Sequence, residues 1–502
     1  MTAVMDPNKH VSVLAFDLGA SSGRALIGRL LEDEQGCRLE VSEVHRFPNH
    51  AIQVGDRLHW DILRLLHEVK CGIQLACQAG HAPRTFGIDT WGVDFGLLDA
   101  DGELLGNPYH YRDAQTDGMI EAVGKLVERE LLYRESGIQF MPFNTLYQLY
   151  AMRHANASKL DRAETLLLTP DLLVYYLTGV RSCEYTMATT TQLMLPGTRR
   201  WNTELMERLG IPARLFLEPV EPGTIVGSLT REVRAELGVP AMKAVAVGTH
   251  DTESAVAAIP ARPTGTFAYL VCGTWSLLGT EREEPIVTPE AQAMEWSNEG
   301  GVGGRYQLLK NIMGLWILQE CKREWDEEGS GSSSYAELVE AAEAAASFRS
   351  FIAPDDPRFY APGGMLQKVQ GYCRETGQPV PESRGEVVRC ILESLALRYR
   401  EALEQAEQLT AERFEGLHMV GGGIQNRLLC RFTANALSRP VWAGPVEASA
   451  IGNMLVQLIA LGECADLQEA RRLSAASFPV EVYKPESGDS WDAAYARYRE
   501  LQ

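Results

Sequence analysis

Val11-Ser12-Val13-Leu14-Ala15-Phe16-Asp17 runs directly into Leu18-Gly19-Ala20-Ser21-Ser22-Gly23-Arg24. The first stretch is dominated by apolar side chains and reads as a buried strand. The small polar turn that follows, and the apolar run Arg24 to Leu30 behind it, complete a hairpin signal. The same grammar returns about 255 residues later. There Thr266-Phe267-Ala268-Tyr269-Leu270-Val271 leads into Cys272-Gly273-Thr274-Trp275-Ser276, and Leu277-Leu278-Gly279 follows. Two copies at that distance suggest two related halves, although only the turn chemistry is shared.

Working outward, helical patterns cover Trp60 to Ala79 and Pro170 to Thr178, with Gly179 placed as a C-cap. Phe86 to Asp89 reads as a further strand. A Pro-punctuated stretch, Ile211 to Gly227, leads toward the mid-chain turn, and the second half opens near residue 248. Glu386 to Leu409 reads as a long amphipathic helix, followed by the strand Leu417-His418-Met419-Val420 and the triple glycine Gly421-Gly422-Gly423. The serine- and glycine-rich run 329–334 reads as a flexible surface loop. Strands alternating with helices argue an α/β fold. The expected division is an N-terminal domain over 1–247 and a C-terminal domain over 248–502.

The chain is 502 residues long, enough for more than one hydrophobic core. Its 67 acidic and 47 basic side chains give a net charge of −20. That field repels nucleic acid and anionic membranes but not a neutral sugar. An anionic nucleotide would need locally placed amides, Arg or Mg²⁺. Residues 1–10 lack a basic segment followed by an apolar one, so no secretory signal is expected. No apolar run approaches the length of a membrane span. The ten cysteines include no CxxC pair, which signals neither a zinc site nor a disulfide framework, and Cys373 and Cys390 read as buried free thiols. The expected location is cytoplasmic.

Five stretches could carry chemistry. In Asp17 to Arg24, a glycine- and serine-rich turn after a buried strand can aim successive backbone N–H groups at a phosphate. Arg24 could add charge and Asp17 could hold Mg²⁺ through water; a tight hairpin turn accounts for the same residues. Gly273-Thr274-Trp275-Ser276 is open to the same two readings. The triple glycine suits backbone approaching a flat ligand such as a nucleotide base, or equally a turn that needs unusual dihedrals. In Gly248-Thr249-His250-Asp251-Thr252-Glu253-Ser254, Asp251 is a natural N-cap. It is also a candidate base for phosphoryl transfer to an alcohol, kept ionised by the helix N-terminus. Finally, Gly87-Ile88-Asp89-Thr90-Trp91-Gly92-Val93-Asp94-Phe95 offers two carboxylates, an aromatic face and two glycines that could line a sugar pocket. A glycosidase pair would also use two carboxylates, and sequence spacing does not decide between these.

Six motifs in order carry a resemblance: Asp17 to Arg24, Gly87 to Asp94, His250-Asp251-Thr252, Gly273 to Ser276, Asn311-Ile312-Met313-Gly314-Leu315-Trp316 and Gly421 to Gly423. Together the chain resembles the rhamnulokinases, a branch of the FGGY carbohydrate kinases, from about residue 11 to about residue 480. The resemblance implies an α/β fold of two ribonuclease-H-like domains of the actin/hexokinase type, with the active site in an interdomain cleft. It implies ATP and Mg²⁺ as cofactors and L-rhamnulose as the small-molecule partner. Neither nucleic acid nor membrane is implied, and the assembly would be a monomer or homodimer. By similarity Ala20, Ser21, Ser22, Gly23 and Arg24 take the ATP phosphates, with Thr274, Gln319 and Gly422 completing the nucleotide site. Gly92, His250, Asp251, Thr252 and Asn311 match sugar positions, Asp251 matches the proton acceptor, and Asp17 the metal position. Glu253 departs from the pattern, which has a small residue there. A kinase for a related ketose such as L-fuculose, and a sugar-independent ATPase of the actin or chaperone type, are the alternatives.

Overall fold

The computed structural model describes residues 11–501 apart from 34–35, 156, 262–265, 328, 330–332 and 487–488. The segment 1–10, and residues 330–332 of the run 329–334 read as a loop, lie outside the described residues. The chain folds into two compact units. The first is built from Met1–Pro263, Arg282–Gln307 and Ala448–Phe478, the second from Thr264–Glu281, Leu308–Glu447 and Pro479–Gln502. A single cut between residues 247 and 248 divides the chain differently. Asp251 and the helix Ala448–Ala460 both belong to the first unit, because that helix packs on the helix that Asp251 begins. Gly452 makes this approach possible: a Cβ there would sit 1.6 Å from the Ser254 carbonyl oxygen.

In the first unit, strands β1 (Val11–Leu18), β2 (Ser22–Asp33), β3 (Gly36–Pro48), β4 (Thr85–Thr90), β5 (Thr224–Ser228) and β6 (Lys243–Ala246) form one sheet in the order β3-β2-β1-β4-β6-β5. β1 pairs antiparallel with β2 and parallel with β4, β4 pairs parallel with β6, and β6 antiparallel with β5. Seven of the eight residues of β1 and all of β4 are buried. That is why both read as continuous apolar runs rather than alternating ones. Phe16 packs against Gly72 of the helix Ile62–Gln78, while Gly28 faces Met454 of the helix Ala448–Ala460, which also packs on β1. Helices therefore cover both faces. Asp61 caps the first helix by accepting from Arg64 N, and Gly179, with φ 72°, ends the helix Thr169–Thr178 as its sequence predicts.

The second unit repeats the plan. Strands β7 (Ala268–Cys272), β8 (Trp275–Arg282), β9 (Tyr306–Met313), β10 (Leu417–Val420), β11 (Val441–Ala443) and β12 (Glu481–Tyr483) follow the order β9-β8-β7-β10-β11-β12. The pairings from β8 onward are antiparallel, parallel, parallel and antiparallel, as in the first sheet. The two quoted hairpins are thus β1–β2 and β7–β8, at equivalent places in two ribonuclease-H-like sheets. The long helix spans Arg384–Thr410 and starts with a capping box between Ser383 and Glu386. Cys373 and Cys390 are buried and free. Among the described residues no helix is long and apolar enough to cross a membrane.

Candidate functional site

The helix Asp251–Ala257 starts directly after the loop that leaves β6. His250 occupies the N-cap and makes no side-chain cap bond, so Asp251 is the first helical residue rather than the cap its sequence suggests. Its carboxylate remains available. Oδ1 accepts from the Thr252 hydroxyl at 3.2 Å, and the side chain is 30% exposed. Burial pushes its pKa up to about 6, with the His250 charge and the Thr252 bonds pulling down and the Asp17 charge pushing up. The helix N-terminus does not keep it at the ordinary value. A base poised near 6 is still largely ionised at neutral pH and is better matched to accepting a proton.

His250 stands between two carboxylates. Nε2 lies 3.7 Å from Asp251 Oδ1, and Nδ1 lies 3.0 Å from Oε2 of Glu299, an ion-pair contact in which neither atom is aligned for a regular hydrogen bond. Glu299 belongs to the short strand Ser297–Gly300 and is 4% exposed. Burial pulls the imidazole pKa down, but Glu299, then Asp251 and Glu184, outweigh it and the net direction is upward. The backbone of this loop is anchored from below by the buried Glu184. It accepts from the N–H and hydroxyl of both Thr186 and Thr249, and Thr186 in turn accepts from His250 N. Thr90 N donates to Thr249 O at 2.9 Å, tying the loop to the end of β4.

Facing His250 is Gly92. A Cβ at Gly92 would stand 3.5 Å from His250 Nε2 and 3.5 Å from the Thr190 hydroxyl. Gly92 lies in a turn where Asp94 N donates to Gly92 O across Val93, whose φ is +70°. A β-branched residue in that region is strained by about 1–3 kcal/mol, so the surroundings must impose it. Thr145 donates to Val93 O at 2.6 Å, and the Asp94 carboxylate is held from four sides. Its Oδ2 accepts from Trp60 Nε1 at 2.6 Å, Trp91 Nε1 at 2.9 Å and Tyr111 N at 3.2 Å, and its Oδ1 from Gln148 at 2.8 Å. Neither carboxylate of the Asp89–Asp94 stretch lines a pocket, contrary to the sequence-based expectation. Asp94 is 1% exposed and Asp89 0%. Asp89 accepts from Asn453 at 2.6 Å, and burial, with the Asp17 charge adding to it, holds its pKa well above the usual carboxylate range. The carboxylates are scaffolding; Gly92 is what the turn presents.

At the β1–β2 hairpin, Gly19 N donates to Ser22 O at 2.9 Å, and Asn49 fixes the turn through Ser21 O and Gly19 O. Ser21 is exposed and Ala20 and Ser22 are half-buried. Gly23 has a packing reason of its own, since a Cβ there would meet the Phe47 ring at 2.2 Å. Arg24 does not extend alone from the turn. Its guanidinium pairs with Asp17 Oδ2 at 2.5 Å across the hairpin.

The second unit carries the other predicted positions. Thr274 lies between β7 and β8, and its hydroxyl donates to Gln319 Oε1 at 3.3 Å. Leu315 N and Trp316 N donate to Gly273 O and Thr274 O, which fixes the start of the helix Trp316–Glu327 beside this turn. Gly314 allows the contact, as a Cβ there would lie 2.7 Å from Ser276 Oγ. Asn311 is half-buried on β9 in this unit, whereas Gly92, His250, Asp251 and Thr252 are in the first. The triple glycine divides cleanly. Cβ atoms at Gly421 and Gly423 would lie 3.0 and 2.8 Å from the Cys272 carbonyl oxygen, while one at Gly422 would meet open space. Asn426, not a glycine, caps the helix Arg427–Leu437. The sequence reading missed Glu299, Glu184 and Thr190, because each reaches His250 or Gly92 from another element and carries no local motif.

Residues 12–258 match the N-terminal domain of the FGGY family of carbohydrate kinases, and residues 268–461 its C-terminal domain. The chain is 47% identical over 485 residues to a rhamnulokinase of Bacteroides thetaiotaomicron, covering 97% of this chain and 98% of that protein. It is 43% identical over 490 residues to a rhamnulokinase of Pectobacterium carotovorum, covering 98% and 96%. Among solved structures it is similar in fold to a gluconate kinase from Lactobacillus acidophilus, with TM-score 0.77, 16% identity and coverage of 98% and 96%. A xylulose kinase from Rhodospirillum rubrum gives TM-score 0.76 at 18% identity, covering 98% of each chain. With both family domains matched in order over nearly the whole length, the chain belongs to the FGGY family of carbohydrate kinases.

Proposed function

We infer that this chain transfers the γ-phosphoryl group of ATP to the C1 hydroxyl of L-rhamnulose, giving ADP and L-rhamnulose 1-phosphate in L-rhamnose catabolism. The reaction type rests on family membership, and the sugar on extensive identity to proteins named rhamnulokinase. The observation that carries the chemistry is Asp251, a carboxylate with a pKa near 6 beside His250. Asp251 accepts the C1 proton as that oxygen attacks phosphorus. Gly92, His250, Thr252 and Asn311 bind the sugar. Ala20 to Arg24 bind the phosphates, while Thr274, Gln319 and Gly422 serve the nucleotide. Catalysis is then mainly alignment and charge neutralisation.

A divalent cation fits the donor chemistry at Asp17. Carboxylate oxygen is a hard ligand, and since Asp17 Oδ2 is paired with Arg24 at 2.5 Å, a cation there would share the carboxylate with that guanidinium. Asp17 would hold Mg²⁺, which when bound offsets phosphate charge. A cytoplasmic setting belongs to the same reading. The test is ADP release over a panel of ketoses with Mg²⁺ present. The expected result is highest kcat/KM for L-rhamnulose. A preference for L-fuculose, or equal ATP turnover without sugar, refutes the assignment.

A further inference from the structure

We propose that Glu299 is a positioning residue of the acceptor site, its carboxylate pinning Nδ1 of His250 so that Nε2 faces Gly92 and Asp251 as a fixed hydrogen-bond donor. The inference rests on the reading of His250 as a sugar-binding residue. Its own basis is geometric. Glu299 reaches the imidazole from the strand Ser297–Gly300, with Oε2 3.0 Å from Nδ1, and it is 4% exposed. On the opposite edge of the ring, Nε2 is the atom a Cβ at Gly92 would approach to 3.5 Å.

A neutral imidazole has only one N–H. If a carboxylate claims it at Nδ1, Nε2 can only accept. An imidazolium donates from both nitrogens, and that is the form a carboxylate at Nδ1 favours. The charged groups facing the ring agree on sign. Asp251 and Glu253 come from the helix it precedes, Glu184 from the cap of the helix Tyr185–Thr189, and Glu299 from its strand. The Trp91–Asp94 turn brings no charge to the ring, because the Asp94 carboxylate is spent on Trp60, Trp91, Tyr111 and Gln148. Burial opposes protonation, and the carboxylates more than offset it. A sugar hydroxyl or carbonyl oxygen in front of Gly92 therefore meets a charged donor, while Asp251 remains the acceptor.

The experiment uses the full-length enzyme with Glu299→Gln and Glu299→Asp. The pH titration of the His250 ring is followed by ¹³C-histidine NMR, assigned with His250→Asn, and KM is measured for sugar and ATP. In Glu299→Gln the ring should titrate at lower pH. Its sugar KM should be roughly tenfold above wild type at the pH where only the wild-type ring is protonated, and within about twofold at the lower pH where the titration shows both rings protonated. The ATP KM should not move. Glu299→Asp keeps the charge and should recover most of the sugar affinity, a rescue that serves also if the Gln variant folds poorly. An unshifted His250 titration, or a sugar KM ratio flat across pH, overturns the role of Glu299. A shifted titration with unmoved sugar KM in both Glu299→Gln and His250→Asn overturns the proposal differently, by removing His250 from the sugar site.

Discussion

Gly92→Ala separates a sugar-facing turn from a merely structural one. Gly92 does not have a left-handed φ, and the added methyl would lie 3.5 Å from His250 Nε2 and from the Thr190 hydroxyl, ordinary contact distances. The fold should therefore absorb it with a stability change within about 0.5 kcal/mol. The ligand cannot. A hydroxyl bonded to Nε2 sits about 2.9 Å away, and carbon and oxygen resist approach below about 3.3 Å. With the methyl in place, the oxygen is excluded from a cone of about 60° around the Nε2-to-methyl direction. Losing a hydrogen bond to a charged donor costs about 1.5–3 kcal/mol, roughly 10- to 150-fold in KM. Steady-state kinetics with L-rhamnulose, beside a thermal melt, reads both quantities. An unchanged sugar KM in a stable Gly92→Ala protein would refute the placement of the sugar between Gly92 and His250.

Asp251→Asn should lower kcat by roughly 10²- to 10⁴-fold with a smaller change in sugar KM, and near-normal turnover would sink its role as base. The acid limb of the wild-type rate, centred near pH 6, should vanish from the residual activity of that variant. Asp94 tests linkage. Burial, outweighing its four donors, raises its pKa from the ordinary 3.8 to about 7 in the folded protein. The stability tied to this group is then fully present below about pH 4 and is lost as pH rises through about 7. Relative to wild type, Asp94→Asn should be most destabilised at about pH 5 and least at about pH 8 in chemical denaturation. The reverse order would mean the donors keep the carboxylate ionised. Gly423→Ala should destabilise by about 1–3 kcal/mol through overpacking on Cys272, while Gly422→Ala should leave the melt unmoved and raise the ATP KM. Equal melts for these two variants would contradict the division of the triple glycine.

Much of this architecture is legible in the chain because buried central strands leave long apolar runs. The segments around Phe16, Ile88, Leu270 and Met419 are strands for that reason, and the Gly/Ser turns beside two of them mark the hairpins. The helix terminus at Gly179 is legible because caps are local chemistry, whereas the long helix starts at Arg384 behind its Ser383 cap, before the Glu386 at which the sequence places it. What is not local cannot be read in this way. The helix Ala448–Ala460 joins the first unit through Asn453 to Asp89 and through Gln457 to Leu14 O and Thr85. Those partners lie over 360 residues away in sequence. Glu299 is hidden for the same reason, being an acid in a short strand until His250 is placed against it.

Carboxylates invite the reading that they touch substrate, and here burial overrules it. Asp94 has four donors and 1% exposure, so a sugar hydroxyl cannot reach it. Its effect is transmitted through the backbone. By fixing Trp91 on one side and closing the strained turn at Val93, it holds Gly92 where a side chain would crowd His250. The same division of labour recurs at two further motifs. Gly23 yields to Phe47 while Ser21 stays exposed, and Gly421 and Gly423 yield to Cys272 while Gly422 stays open. Each of these three motifs therefore contains residues that shape backbone and at least one position left exposed or open. Substitutions sort by that geometry. Those at packed positions should move stability first, and those at open positions should move KM alone.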